Sequence, residues 1–111
     1  MKHFYPLLIL LAIIATTCFS CGEKPKKYRI GVSQCSEDSW GFKHNNGLRL
    51  SQYADTRILL EITSADDSDE LQIKQINHFI DEKVDLLSVS PNSAASLNDV
   101  VGKAYDKGIP V

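Results

Sequence analysis

The sequence predicts an α/β protein in which a parallel sheet carries helices on both faces. Segments rich in β-branched and aliphatic residues alternate with segments of helical periodicity, and short polar links separate them in the order β-α-β-α-β-α-β. Because successive parallel strands join through right-handed crossovers, this order builds an open sheet covered by helices. The 111 residues, 43% hydrophobic and 23% charged, have an ordinary globular composition and suffice for one small domain at most.

The first part of the alternation contains two strands and one helix. We predict a strand at residues 28–33 (YRIGVS), a helix at 40–54 and a second strand at 57–63 (RILLEIT). Gly41 and Gly47 lower the helical propensity of the middle segment, but its length favours a helix over a strand. The polar stretch before this helix is predicted to be a loop.

The second strand is followed by an acidic loop and another helix. The loop covers residues 64–69, and Asp67 and Glu70 have the spacing of a capping box at the start of the helix. The predicted apolar face of this helix comprises Leu71, Ile73, Ile76, Phe79 and Ile80. A third strand at 85–90 (DLLSVS) has the continuous apolar character of a strand covered on both faces.

The last helix has the clearest helical period in the chain. Its predicted buried face comprises Leu97, Val100, Val101, Ala104 and Tyr105. Asn92 and Ser93 are predicted caps at its start, and Gly108 is predicted to take the left-handed conformation that ends it. Residues 109–111 should enter a fourth strand, because proline is tolerated near the start of a strand.

The amino terminus has the layout of a signal peptide. Lys2 supplies a basic start, and an unbroken apolar run covers residues 7–15 (LLILLAIIA). The run is shorter than the roughly 20 apolar residues of a spanning helix. We therefore predict a signal peptide at residues 1–20, with an uncleaved anchor over residues 4–19 as the alternative.

The cysteine at position 21 stands where a lipoprotein signal has its lipid-modified residue. Ser20 has the small side chain required before it, whereas Phe19 does not match the usual motif. We predict lipidation of Cys21, with residues 21–27 as a linker that tethers the domain to a membrane; ordinary cleavage nearby or an anchor remains open. Cys35 would then have no disulfide partner.

Charge and motifs argue against several classes of function. The formal net charge of −2 and a pI near 5.8 leave no basic surface for nucleic acid. The first strand is not followed by GxGxxG, GxxxxGK[ST] is absent, and His and Cys do not have zinc spacing. We expect no metal, no cofactor and no catalytic residue here. An enzyme would need a nucleophile paired with a base, and a kinase module beyond residue 111 remains open.

Open parallel sheets bind ligands outside the carboxyl ends of their strands. Three loops are therefore candidates, at residues 34–40, 64–69 and 90–93. They contain hydroxyls, amides, carboxylates and one tryptophan, Trp40, which together suit a neutral polyhydroxylated molecule. Each residue also has a structural interpretation: Trp40 could anchor the core, and the acids could be solvated or act as helix caps.

Four segments together resemble a known family. They are residues 28–33, the polar loop that ends in Trp40, residues 81–92 (DEKVDLLSVSPN) and residues 104–111 (AYDKGIPV). They look like the amino-terminal lobe of type I periplasmic sugar-binding proteins, relatives of ribose- and galactose-binding proteins and of the lactose-repressor effector domain. The loop at 33–40 (SQCSEDSW) is most similar to the periplasmic sensor part of hybrid two-component regulators that detect monosaccharides.

The resemblance implies that residues 28–111 form an incomplete amino-terminal lobe of a two-lobed fold. It implies extracytoplasmic binding of a monosaccharide, or a similar small ligand, as the sensor part of a signalling protein; the alternative is a solute-binding lipoprotein of a sugar ABC transporter. The protein is expected to lie in the periplasm and to be attached to the membrane. Its expected partner is a kinase module or a permease.

The resemblance also implies which residues bind the ligand. The matching positions are Ser36, Glu37, Trp40, Asp66, Asp67, Asn92 and Ser93. Trp40 would stack on the sugar, while Ser36 and Glu37 differ from the amides of ribose binders and leave the identity of the sugar open. Because the family traps its ligand between two lobes, we expect the 111-residue chain alone to bind sugar weakly or not at all.

Overall fold

The computed structural model describes residue 22 and residues 24–111; the predictions for residues 1–20 and for Cys21 lie outside the described residues. The elements are β1 (Tyr28–Gln34), α1 (Ser39–Ala54), β2 (Ile58–Ser64), α2 (Asp69–Asp81), β3 (Leu86–Ser90) and α3 (Ala94–Asp106). The three strands form a parallel sheet in the order β2-β1-β3, which confirms the predicted α/β class. Within the described range, none of the helices has the length and apolar character needed to cross a membrane.

The predicted fourth strand is not formed. Residues 109–111 follow the end of α3 without strand geometry, although the backbone N–H of Leu87 donates to the carbonyl of Pro110 at 2.9 Å. This bond places the segment beside β3. Pro110 has no N–H to donate to a ladder, and the described sheet has three strands.

Helices lie on both faces of the sheet because the chain moves from β1 to β2 in one direction and then crosses back past β1 to β3, with right-handed connections. Gly31 faces α2, where a Cβ at this position would lie 2.7 Å from Cγ of Phe79. Gln34 faces α1, where its Nε2 donates to Oδ1 of Asn45 at 2.6 Å. Strand side chains point alternately to opposite faces, so α1 covers one face, and α2 with α3 covers the other.

The hydrophobic core lies between the sheet and the pair α2–α3. Its buried residues are Ile76, Phe79, Ile80, Val84, Leu87, Leu97, Val100, Ala104 and Ile109. Two predicted core residues do not belong to it: Leu71 is 38% exposed and Tyr105 is 73% exposed. Tyr105 lies about 80° around α3 from Leu97, at the edge of the buried stripe. In the first turn of α2 the buried residue is Gln72 instead of Leu71.

The cap of α2 differs from the predicted one. Ser68 precedes the helix, and its hydroxyl accepts a hydrogen bond from the N–H of Leu71 at 3.2 Å. The predicted capping box of Asp67 and Glu70 is therefore wrong. Asp67 has a φ of 60°, whereas a cap residue needs the extended backbone that Ser68 has.

The ends of α3 agree with the sequence except at one position. Ser93 is the N-cap, and its hydroxyl accepts from the N–H of Ser96 at 3.4 Å. Gly108 has a φ of 79°, which confirms the left-handed residue predicted after the helix. Asn92, predicted as a second cap, instead donates to the preceding loop.

Candidate functional site

The three strands end at the same level, which gathers the loops that follow them. Gln34, the last residue of β1, pairs with Ser64 at the end of β2 and with Ser90 at the end of β3. The loops therefore leave the sheet side by side at its carboxyl end, where parallel sheets bind ligands. We call the segments after β1, β2 and β3 loop 1 (residues 35–38), loop 2 (65–68) and loop 3 (91–93).

Hydrogen bonds connect the three loops to one another. The N–H of Ala65 donates to the carbonyl of Gln34 at 2.9 Å, and the N–H of Asp67 donates to the carbonyl of Cys35 at 2.8 Å. The side-chain amide of Asn92 donates to the carbonyl of Asp67 at 3.0 Å. Loop 2 is thus tied to loop 1 on one side and to loop 3 on the other.

Loop 2 has an unusual backbone at its two aspartates. Asp66 has a φ of 48° and Asp67 a φ of 60°, the left-handed region that residues other than glycine rarely enter. Such a conformation costs about 1–3 kcal/mol per residue and persists where the surroundings hold it. Here the bonds to loops 1 and 3 hold it, and both side chains are exposed at the carboxyl end of the sheet.

The side chain of Asn92 is oriented by the two hydrogen bonds that its Nδ2 donates. Its Nδ2 donates to the carbonyl of Asp67 and, at 2.7 Å, to Oδ1 of Asp69. Hydrogen bonds from Ser96 and Asn92 hold the pKa of Asp69 below its usual value, because they stabilise the carboxylate. With both N–H groups in use, Oδ1 of Asn92 is the atom of this amide left to accept from a ligand.

The remaining polar candidates differ in how available they are. The hydroxyl of Ser93 lies within hydrogen-bond distance of both the N–H and the hydroxyl of Ser96. Ser36 is half-buried beside Cys35, with 3.8 Å between Oγ and Sγ, while Glu37 is exposed. Ser93 is therefore engaged in capping, and Glu37 is the more accessible of the two candidates in loop 1.

Trp40 lies in the first turn of α1 and is 60% exposed, so it is not a core anchor. Its indole stacks on the imidazole of His44, one helical turn later, with 5.1 Å between ring centroids and 7° between ring planes. The imidazole covers one face of the indole. The other face is available to an apolar surface such as that of a sugar ring.

Two buried amides near the site were missed by sequence reasoning. Gln72 is fully buried and connects β1 with loop 3. Its burial could have been predicted, because it lies four residues before Ile76 and therefore on the apolar face of α2. Gln34 is also buried, and among the described residues its Oε1 has no partner. Its pairing with Asn45 had no signal in the sequence.

One groove of the described structure lies away from the candidate site. A groove of ≈ 580 Å³ lies at the opposite end of the sheet, where it is lined by Lys83, Val84, Lys107 and Gly108 among others. Its position after the ends of α2 and α3 is far from the three loops. Among the described residues, His, Cys, Asp and Glu do not form a group of three or more able to hold a metal ion.

Comparison with known proteins links this arrangement to binding proteins. A family model described as "Periplasmic binding protein domain" matches residues 49–111, more than half of the chain. The D-xylose-binding periplasmic protein of Haemophilus influenzae is 26% identical over 105 residues, which cover 93% of this chain and 31% of that protein.

Two solved structures are similar to the described part of the chain. The fructose-binding periplasmic domain of a hybrid two-component system is 44% identical with a TM-score of 0.73, over 76% of this chain and 28% of that chain. An ABC transporter solute-binding protein from Bacillus halodurans, with bound myo-inositol, is 24% identical with a TM-score of 0.72, over 79% and 31% of the respective chains, and supports the fold alone. The chain thus spans about a third of the length of these relatives.

Proposed function

Because the chain belongs to the periplasmic binding protein family, we propose that its three loops bind a monosaccharide or a similar small polyhydroxylated molecule outside the cytoplasm. The relatives described above are named as binding proteins, not as enzymes. One observation carries the proposal: the carboxyl end of the sheet combines exposed oxygen acceptors with an exposed indole.

The chemistry of these groups matches a neutral sugar. The carboxylates of Asp66 and Asp67 accept hydrogen bonds, as does Oδ1 of Asn92, and sugar hydroxyls are donors that can satisfy them. The free face of Trp40 can cover the C–H face of a sugar ring. Glu37 adds another negative charge at this end, which disfavours an anionic ligand such as a sugar phosphate.

The proposed binding can be mapped on the chain itself, even when it is weak. We expect D-fructose, D-xylose or myo-inositol at millimolar concentration to shift the backbone amide NMR signals of loops 1–3. Trp40 is the sole tryptophan of the sequence, so its fluorescence reports directly on the indole. Signals that shift only around Lys107, at the opposite end of the sheet, would contradict the proposal.

Two exposed aromatic residues of α1 provide a matched pair for this test. Trp40 is 60% and Phe42 is 64% exposed, and they are separated by one residue. Trp40→Ala should weaken binding by about 1 kcal/mol, because it removes a stacking surface. Phe42→Ala should leave the NMR-derived Kd unchanged. Equal losses in both variants would contradict the stacking role of Trp40.

We also propose that the binding unit serves a sensor, with a kinase module as its partner. The support is the 44% identity to the domain from a hybrid two-component system. Deleting the gene should abolish the transcriptional response to the bound sugar and leave uptake of the radiolabelled sugar intact. Lost uptake with an intact response would instead support the alternative, a solute-binding lipoprotein that delivers sugar to an ABC transporter permease.

Membrane attachment through Cys21 remains a proposal from the sequence. The family is periplasmic, and a lipid on this residue would hold the domain at the membrane surface. A palmitate analogue supplied to growing cells should label the wild-type chain and the Cys35→Ser variant, but not Cys21→Ser. Labelling that persists in Cys21→Ser would assign the lipid elsewhere.

A further inference from the structure

One buried side chain contacts β1, the end of β3 and loop 3. Gln72, in the first turn of α2, is 0% exposed. Its Nε2 lies 3.3 Å from Oγ of Ser33 and 2.9 Å from the carbonyl oxygen of Ser90, and it donates to both. Its Oε1 accepts from the backbone N–H of Asn92 at 3.0 Å. The amide is therefore satisfied without water.

These bonds continue into the candidate binding groups. Asn92, held by its N–H to Gln72, uses its side-chain amide to bind Asp67 in loop 2 and Asp69 at the start of α2. Its Oδ1 is thereby left as an acceptor. A displacement of the Asn92 backbone would break both side-chain bonds and change which of its atoms a ligand meets.

Burying the side-chain amide of Gln72 would destabilise the fold if the amide did not make these hydrogen bonds. Its position on α2 continues the apolar face of Ile76 and Phe79, where an apolar side chain would bury surface without any polar group to satisfy. An apolar residue there would leave the Ser90 carbonyl and the Asn92 N–H without this partner. The polar side chain thus specifies the position of loop 3.

We propose that Gln72 is a positioning residue that fixes loop 3 so that Oδ1 of Asn92 is presented to the ligand. This inference rests on the proposed sugar-binding function, and it deepens that function by naming the residue that orders one of its loops. Gln72 itself is buried beneath the loops and is not expected to touch the sugar.

The first test measures loop order without any ligand. In the wild-type chain, the Asn92 amide should exchange its hydrogen at least about tenfold more slowly than its intrinsic rate, although Asn92 is an exposed residue. Exchange at the intrinsic rate would overturn the proposal. This measurement uses the wild-type chain, so it tests the order of loop 3 even if variants at position 72 fail to fold.

The second test uses two equivalent substitutions on α2. Gln72→Met keeps the length of the side chain and removes its hydrogen bonds; it should raise exchange at Asn92 about tenfold or more and leave Phe79 within about twofold. Gln75→Met, one turn later, removes a bond to the Ser64 carbonyl and should leave Asn92 unchanged. A uniform rise at all amides in Gln72→Met would indicate a merely structural role and overturn the proposal.

The third test is the sugar titration described above. Gln72→Met should raise the Kd about tenfold, while Gln75→Met should not. An unchanged Kd together with faster exchange at Asn92 would show that loop order does not matter for binding and would overturn the positioning role. If monosaccharides shift signals only at the opposite end of the sheet, the proposed function fails, whereas the exchange measurements still decide whether Gln72 orders loop 3.

Discussion

The two faces of the sheet are built from different kinds of residues. The face covered by α2 and α3 buries a continuous apolar cluster around Phe79. The face covered by α1 buries Val32 together with the amide pair Gln34 and Asn45. The large apolar side chains Trp40, Phe42, Leu50 and Tyr53 of α1 remain exposed.

This difference predicts that the two faces contribute unequally to the free energy of unfolding. Apolar burial contributes about 25 cal/mol per Å², whereas a hydrogen bond contributes a net of about 0.5–1.5 kcal/mol. The α2–α3 face should therefore supply most of the stability of the folded chain, and α1 should detach at a lower free energy. Trp40 lies on the less stable element, whereas Asn92 lies next to the stable one.

The largest expected effect tests this division directly. Phe79→Ala should lower the free energy of unfolding by about 3–5 kcal/mol, because a buried aromatic ring is lost and a cavity remains above Gly31. Phe42→Ala should change it by less than about 0.5 kcal/mol. Urea unfolding followed by circular dichroism measures both. Similar losses in the two variants would contradict the assignment of the hydrophobic core to the α2–α3 face.

The same contrast explains how much of the fold the sequence could predict. On the α2–α3 face, burial is apolar and periodic, so residues such as Ile76, Phe79 and Leu97 are recognisable from their spacing. On the α1 face, the buried side chains of Gln34 and Asn45 are amides, which usually lie at the surface. No local pattern distinguishes a buried amide from an exposed one.

Prediction of the candidate site was limited in the same way. The parallel order of the strands was enough to predict that Asp67, Asn92 and Trp40 would lie at one end of the sheet. Which of their atoms remain free depends on partners distant in sequence, such as Gln72 and Asp69. The seven proposed ligand-binding positions therefore stay a prediction, with Ser93 the least available because it caps α3.

A smaller effect is expected from the amide pair on the α1 face. Gln34→Leu and Asn45→Leu should each lower the free energy of unfolding by about 1–3 kcal/mol, because each leaves its buried partner unsatisfied. The double variant should lose less than the sum, since an apolar pair leaves neither partner without a hydrogen bond. Urea unfolding of the four chains measures this coupling. Strict additivity would mean that the 2.6 Å contact contributes nothing to holding α1.

The smallest expected effect is the pH dependence of stability that arises from the carboxylate of Asp69. Hydrogen bonds from Ser96 and Asn92 lower the pKa of Asp69 in the folded chain. The stability gained from this shift is present above the unfolded pKa of about 3.9 and is lost as the pH falls through the lower folded value. The wild-type melting temperature should therefore fall more steeply below about pH 4 than that of Asp69→Asn.

Asp55 provides the matched control at the opposite end of the sheet. Its pKa is lowered to about 2 by hydrogen bonds from Arg57, so Asp55→Asn should also flatten the acid limb of the stability curve. Of these two carboxylates, Asp69 is the one that accepts a hydrogen bond from Asn92, so the acid-induced shift of the Asn92 side-chain amide signal should persist in Asp55→Asn and vanish in Asp69→Asn. A shift that survives in Asp69→Asn would mean that loop 3 is held independently of this carboxylate. The order of loop 3 would then rest on its bonds to Gln72 and to the carbonyl of Asp67.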